Sequence, residues 1–226
     1  MTLSLRAALP VLLLGLATGS HAATTLIDNT TLNGSFENGT GTTTITSWSV
    51  APGNAIIERK NDNAQNGGWS LVVGRNSSGG LSGVAVNTGY SIATGDVFDL
   101  SFSLRGALNA EATDQVAWSL FYTSDNTLGG TQTQLFSGSN ALTGATGLLA
   151  TSPYNPTGTL SSGAAHLAAS GKTLFLSITA GSGFTNDEFA RIDSVALSVT
   201  SVPEPSLPVM AGLAAITLSV IRRRPL

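Results

Sequence analysis

An all-β fold, a jelly-roll-type β-sandwich, is what this sequence predicts for its body, on three observations. Apolar and polar residues alternate with period two in one segment after another, the repeat of a strand that buries one face. Clusters of Gly, Asn, Asp and Ser separate those segments at short intervals. No stretch of twelve body residues carries the apolar stripe of a helix. Composition agrees: only 10% of residues are charged and 26 are Gly, so the surface is built from hydroxyls, amides and backbone, which suits strands and tight turns better than solvated helices.

The elements follow in chain order. Strands are expected at 45–50, 55–59, 70–73 and 84–86. At 97–104, Phe98, Leu100, Phe102 and Leu104 point one way, with Val97, Asp99, Ser101 and Ser103 between them. Val116, Trp118, Leu120 and Tyr122 repeat the pattern, as do Leu174, Leu176 and Ile178. Strands at 132–136 and 195–199 complete the set. Asn66-Gly67-Gly68, Ser78-Gly79-Gly80 and Asp125-Asn126 read as turns. About nine short strands at this spacing indicate a sandwich. The Gly/Thr run at 40–44 reads as a loop, and 142–170, rich in Gly, Ala, Ser and Thr with Pro153 and Pro156, reads as a long surface loop.

Both ends read as processing segments, which divides the chain into 1–22, a folded body at 23–201, and a tail at 202–226. Arg6 is a basic start, 7–16 an apolar stretch, and Ser20-His21-Ala22 offers small residues before a cleavage point, the layout of a secretory signal peptide. In the tail, Val202-Pro203-Glu204-Pro205-Ser206 precedes an apolar run at 207–221 and then Arg222-Arg223-Arg224. The two prolines forbid helix and keep an extended, protease-accessible segment. A 15-residue helix spans roughly 22 Å against about 30 Å of hydrocarbon, a marginal transmembrane helix suited to temporary anchoring. The arginine cluster is expected on the cytoplasmic side, which agrees with a signal peptide sending the body outward.

This order of proline motif, short apolar helix and basic end resembles the PEP-CTERM sorting signal of Gram-negative bacteria that make exopolysaccharide. The resemblance covers 202–226 and nothing upstream. It implies an exosortase as processing partner, an inner-membrane intermediate, and a final location at the cell surface or in the extracellular matrix, in association with exopolysaccharide.

Two motifs carry a resemblance for the body. Leu32-Asn33-Gly34-Ser35-Phe36-Glu37 precedes Ile45-Thr46-Ser47-Trp48, and Phe189-Ala190-Arg191-Ile192-Asp193-Ser194-Val195-Ala196-Leu197 forms a closing strand. The pair is similar to galactose-binding-like jelly rolls, including several carbohydrate-binding modules. The resemblance implies that Glu37 and Asp193 come together and help to hold a structural calcium, an ion that takes six to eight oxygens.

Several chemistries are excluded or disfavoured. Without the two end segments the body has 6 basic against 12 acidic residues, so the basic footprint of a nucleic-acid binder is absent. With no cysteine there is no disulfide framework or thiolate chemistry. His166 stands alone in the body, and no nucleophile elbow, phosphate loop or metalloprotease motif is present, so a non-enzymatic protein is expected. A glycoside hydrolase, which needs only two suitably spaced carboxylates, is the weakest alternative. Sugar binding is the stronger one. Among the aromatic residues, Trp118 is in phase with a core face, whereas Trp69 beside Gly67-Gly68 and Tyr154 between two prolines are the candidate stacking platforms. The leading expectation is an exported surface or matrix protein, and the alternative is a dedicated carbohydrate-binding module.

Overall fold

The structure is a computed structural model that describes residues 22–62, 64–107, 109–142, 150–152 and 164–201. Of these, 53% are strand and 4% helix. Residues 1–21, expected to belong to a signal peptide, the tail at 202–226 and Tyr154 lie outside the described residues.

Two sheets form from one curled ladder. In the first sheet β5 (Arg59–Lys60), β6 (Ser70–Arg75), β13 (Glu188–Thr200), β8 (Val97–Ala107) and β11 (Ala150–Ser152) lie side by side, and β1 (Thr24–Ile27) pairs with the end of β13. The second sheet is β10 (Gln132–Ala141), β9 (Gln115–Thr123), β12 (Thr173–Ala180), β7 (Leu81–Ser91) and β4 (Trp48–Val50). A tight hairpin joins the two, with Gly74 opposite Ser82 and Arg75 opposite Leu81. Its turn is closed by Asn76, whose Oδ1 accepts Gly80 N–H at 2.7 Å.

The alternation read from the sequence is what builds the core. Phe98, Leu100, Phe102 and Leu104 from β8 meet Val116, Trp118, Leu120 and Tyr122 from β9 and Leu174, Leu176 and Ile178 from β12 in one buried cluster. Phe98, Leu100 and Leu120 are fully buried, and each such side chain contributes about 1.5–3 kcal/mol relative to exposure.

Four segments depart from the expected pattern. The 45–50 strand is broken at Ser47, whose φ of 72° ends β3 (Thr44–Ile45) and re-aims β4. The 55–59 strand is not continuous: Ile56 makes a single parallel bridge to Ser82, and regular pairing starts only at Arg59. The Gly/Thr run is a small hairpin of β2 (Gly39–Thr40) and β3 rather than a plain loop. Within 142–170, β11 pairs with β8 and Ala164–Ala169 forms a six-residue helix, α1.

Candidate functional site

The opening motif and the closing strand meet. Leu32, Asn33 and Phe36 all take positive φ (54°, 57° and 58°), which coils the motif into a compact knot. Asn33 holds it by donating to Asn38 O at 2.8 Å and Thr46 O at 3.2 Å, and Trp48 Nε1 donates to Leu32 O at 2.9 Å. Gly34 is required by contact: a Cβ there would come within 2.2 Å of Val195 O. Val195 N–H donates back to Gly34 O at 2.9 Å, across a bulge in β13 between Asp193 and Ala196.

That bulge presents Asp193 to the loop at 61–69, which folds over the outer face of the first sheet. Gln65 and Asn66 N–H donate to Asp193 Oδ2 at 2.7 Å each, and Ser194 N–H donates to Oδ1 at 2.6 Å. Glu37 Oε1 accepts Gly68 and Trp69 N–H at 2.9 and 2.8 Å. Asp193 is fully buried, and that burial holds its carboxyl above the usual range. Its three N–H donors oppose the shift and the nearby Glu37 charge adds to it.

Two arginines finish the clasp. Buried Arg59 donates to Gly41, Phe36 and Glu37 carbonyls at 2.9, 2.9 and 2.8 Å, and its guanidinium lies 4.1 Å from the Trp69 ring centroid. Arg191 Nε donates to Asp62 Oδ1 at 2.9 Å, which holds that carboxyl below the usual range. One face of the Trp69 ring is thus taken by Arg59. Of the oxygens a calcium needs, Glu37 Oε2 and part of Asp193 Oδ1 are left, whereas the carbonyls of Phe36 and Glu37 are held by Arg59. Among the described residues no group of three or more His, Cys, Asp or Glu converges.

A different feature occupies the outer face of the second sheet. The register sets Ser137, Ser119, Ser177, Ala85 and Ser49 in one row across all five strands. A parallel row of Ser139, Ala117, Thr179 and Gly83 runs beside it. Ser119, Ser177, Ala117 and Thr179 are half-buried and form the floor. Four inter-strand spacings make the row roughly 19 Å long. Larger residues lie along one side, where Gln134 pairs with Phe121, Phe121 with Phe175, and Phe175 with Asn87. The two phenylalanines stack at 5.4 Å and are buried, so they offer no free ring face. At the β7 end Asn54 leans over the sheet, where a Cβ on Gly83 would meet both Asn54 Oδ1 and Thr179 Cγ2 at 2.8 Å. Asn54 Oδ1 is buried there with no hydrogen-bond partner. No residue of β4, β7, β9, β10 or β12 carries a charge.

This trough was not anticipated from the sequence, which directed attention to aromatic platforms. The available signal was the run of Ser, Ala and Thr at alternate positions of 115–123 and 173–180, together with the missing charges.

Burial pushes the Asp114 carboxyl up, as does the charge of Glu188. Both groups are buried and capped by their own turns, through Glu111 N–H at 2.7 Å on Asp114 and Thr185 N–H on Glu188. Two open hollows of ≈ 360 and ≈ 320 Å³ lie elsewhere, around Asp28 and Ser194 and around Val50 and Ile56. Neither brings two carboxylates together.

No protein-family model matches the sequence, and no curated protein matches it. Solved structures do match in fold. The tandem CBM22-1-CBM22-2 domain of Paenibacillus barcinonensis Xyn10C aligns with a TM-score of 0.50 at 14% identity over 83% of this chain. The chain spans half the length of that tandem. A cyclase from Fischerella sp. TAU aligns with a TM-score of 0.52 at 12% identity, covering 81% of this chain and 100% of the cyclase. The chain is therefore a β-sandwich similar to carbohydrate-binding modules, and identities this low establish the fold alone.

Proposed function

We propose that the body is a non-catalytic carbohydrate-binding module whose binding surface is the outer face of the second sheet. The observation that carries this reading is the row from Ser137 through Ser119 and Ser177 to Ser49 on charge-free strands, with hydroxyls half-buried on β9 and β12, exposed at both ends, and interrupted by buried Ala85 on β7. Small side chains leave room for a polysaccharide chain over β10, β9 and β12, as far as β7, where Gly83 and Ala85 are buried. The serine and threonine hydroxyls can exchange hydrogen bonds with sugar hydroxyls. The similar fold of the tandem CBM22 domain supports it.

The same proposal carries the body to the cell surface. Export rests on the signal-peptide layout of 1–22, and sorting rests on Val202, Pro203, Glu204, Pro205, Ser206 and the arginines at 222, 223 and 224. An exosortase would act on that tail, leaving the body in an exopolysaccharide layer. Mass spectrometry of surface material from the native host tests this part. The expected result is a chain lacking both the first 21 residues and the arginine end, and recovery of an intact C-terminal peptide would overturn it.

A second reading concerns calcium. Two carboxylates from opposite ends of the body converge on one loop, and the Asp193 carboxyl is raised by burial and by Glu37. A cation held by Glu37 and Asp193 would relieve that repulsion and tie the opening motif to β13. Sugar stacking on Trp69, whose ring lies 4.1 Å from the Arg59 guanidinium, is the competing location on the other sheet.

A further inference from the structure

Charge is segregated between the two sheets. Strands of the first sheet carry Arg59, Lys60, Arg75, Asp99, Arg105, Glu188, Arg191 and Asp193, whereas the five strands of the second carry none. The nearest charges along the chain sit at strand ends and are already engaged. Asp114 is buried under Glu111 N–H, Asp125 accepts Thr127 N–H at 3.0 Å, and Lys172 Nζ donates to Ser124 O at 3.0 Å. The body as a whole is acidic, with 12 acidic against 6 basic residues.

A uronate or sulfated chain needs cations at its binding face, because desolvating a carboxylate against neutral hydroxyls leaves its charge uncompensated. Among the described residues this face offers hydroxyls and no strand cation, and the body as a whole carries net negative charge. Among the described residues no exposed aromatic ring lies on this face, since Phe121 and Phe175 are buried against each other. Resting on the carbohydrate-binding reading above, we infer that this face selects neutral polysaccharide and excludes polyanionic glycans, holding the chain by hydrogen bonds to hydroxyls rather than by ring stacking or ion pairs.

Affinity electrophoresis of the purified chain tests it. One set of gels contains soluble xylan, mixed-linkage β-glucan or dextran, and a second contains alginate or polygalacturonate, each run at 20 and 300 mM salt. The expected result is retardation by at least one neutral polysaccharide, changing less than twofold between the two salt concentrations, and none by either polyanion. Retardation by the polyanions alone, lost at high salt, overturns this inference and leaves carbohydrate binding standing. Retardation in neither set overturns carbohydrate binding itself, and the selectivity with it. A Ser119→Arg variant separates the face from the rest of the surface: neutral retention should fall at least tenfold with an unchanged melting temperature. Retention unaffected by that change would move binding off this sheet.

Discussion

Glu37 and Asp193 grip the same loop from opposite ends of the domain. Glu37 Oε1 takes the N–H groups of Gly68 and Trp69 at 2.9 and 2.8 Å, and Asp193 Oδ2 takes those of Gln65 and Asn66 at 2.7 Å each. Backbone N–H groups thereby present their positive ends to both carboxylates. The arrangement ties the opening motif to β13, and it keeps residues 64–69 over the outer face of the first sheet.

The clasp predicts coupled destabilisation. Asp193→Ala strips the acceptor from three N–H groups, two of them in a solvent-accessible loop, and should cost about 1–3 kcal/mol in chemical denaturation. Glu37→Ala should cost less, since its carboxylate is only half-buried. The double variant should fall short of the sum, with a coupling of about 0.5–3 kcal/mol, because both side chains order one segment. Strict additivity would mean that the two contacts act independently.

How far the sequence could be read is visible in this pair and in the trough. The core strands were legible because burial alternates at Phe98, Leu100, Phe102 and Leu104 whatever lies next to them. The break at Ser47 was not, because a positive φ at a serine leaves no mark in composition. Convergence of Glu37 and Asp193 came from family-like motifs, but the N–H groups that meet them belong to a loop with no pattern of its own. The trough depends on β9 lying between β10 and β12. That order is set by pairing between distant segments, and alternate Ser and Ala residues look the same on any strand. Aromatic residues drew attention instead, yet Trp118 is core and Trp69 lies beneath Arg59.

Calcium is the next test of the clasp. A cation bound by Glu37 and Asp193 stabilises the folded state by mass action, about 2.7 kcal/mol at a hundredfold excess over its dissociation constant. Millimolar calcium should then raise the melting temperature and chelator should lower it, with Asp193→Ala abolishing the difference. A melting temperature indifferent to both additions would leave the N–H donors as the full content of the site.

The acid limb of stability follows from five shifted carboxyls among the described residues. Hydrogen bonds from Thr31 and Thr30 hold Asp28 at about 2, Arg191 holds Asp62 below the usual value of 3.8, and Thr127 does the same for Asp125. Depressed carboxyls contribute stability that is complete above 3.8 and is lost as pH falls through their folded values. Asp114 and Asp193 have the opposite sign: their raised carboxyls cost stability at neutral pH, and that cost disappears as pH falls toward 3.8. Melting temperature should therefore drop steeply only below about pH 4, by linkage of the depressed groups. Asp114→Asn should melt higher than the parent at pH 7, with the gap closing near pH 4. A gap that widens on acidification would reverse the sign assigned to Asp114.

Arg59 predicts a distinction between charge and shape. Its fork reaches three carbonyls while its plane lies against Trp69, a combination that a lysine ammonium cannot copy. Arg59→Lys should cost about 2 kcal/mol, the scale of one charged hydrogen bond, and should alter Trp69 fluorescence. A fully tolerated lysine would show that the planar geometry is immaterial.

The central claim is that the second sheet's outer face binds polysaccharide, and its most direct measurement is polysaccharide retention by a matched set of variants. Ser177→Arg plugs the middle of the row, Ser119→Ala removes the half-buried hydroxyl beside it, and Trp69→Ala truncates the aromatic side chain over the other sheet. Retention in a gel containing whichever neutral polysaccharide retards the parent should be abolished by Ser177→Arg and weakened severalfold by Ser119→Ala. It should be unchanged in Trp69→Ala, with circular dichroism confirming the fold of all three. Retention that survives Ser177→Arg and is lost in Trp69→Ala would place the binding surface on the opposite sheet and contradict the account.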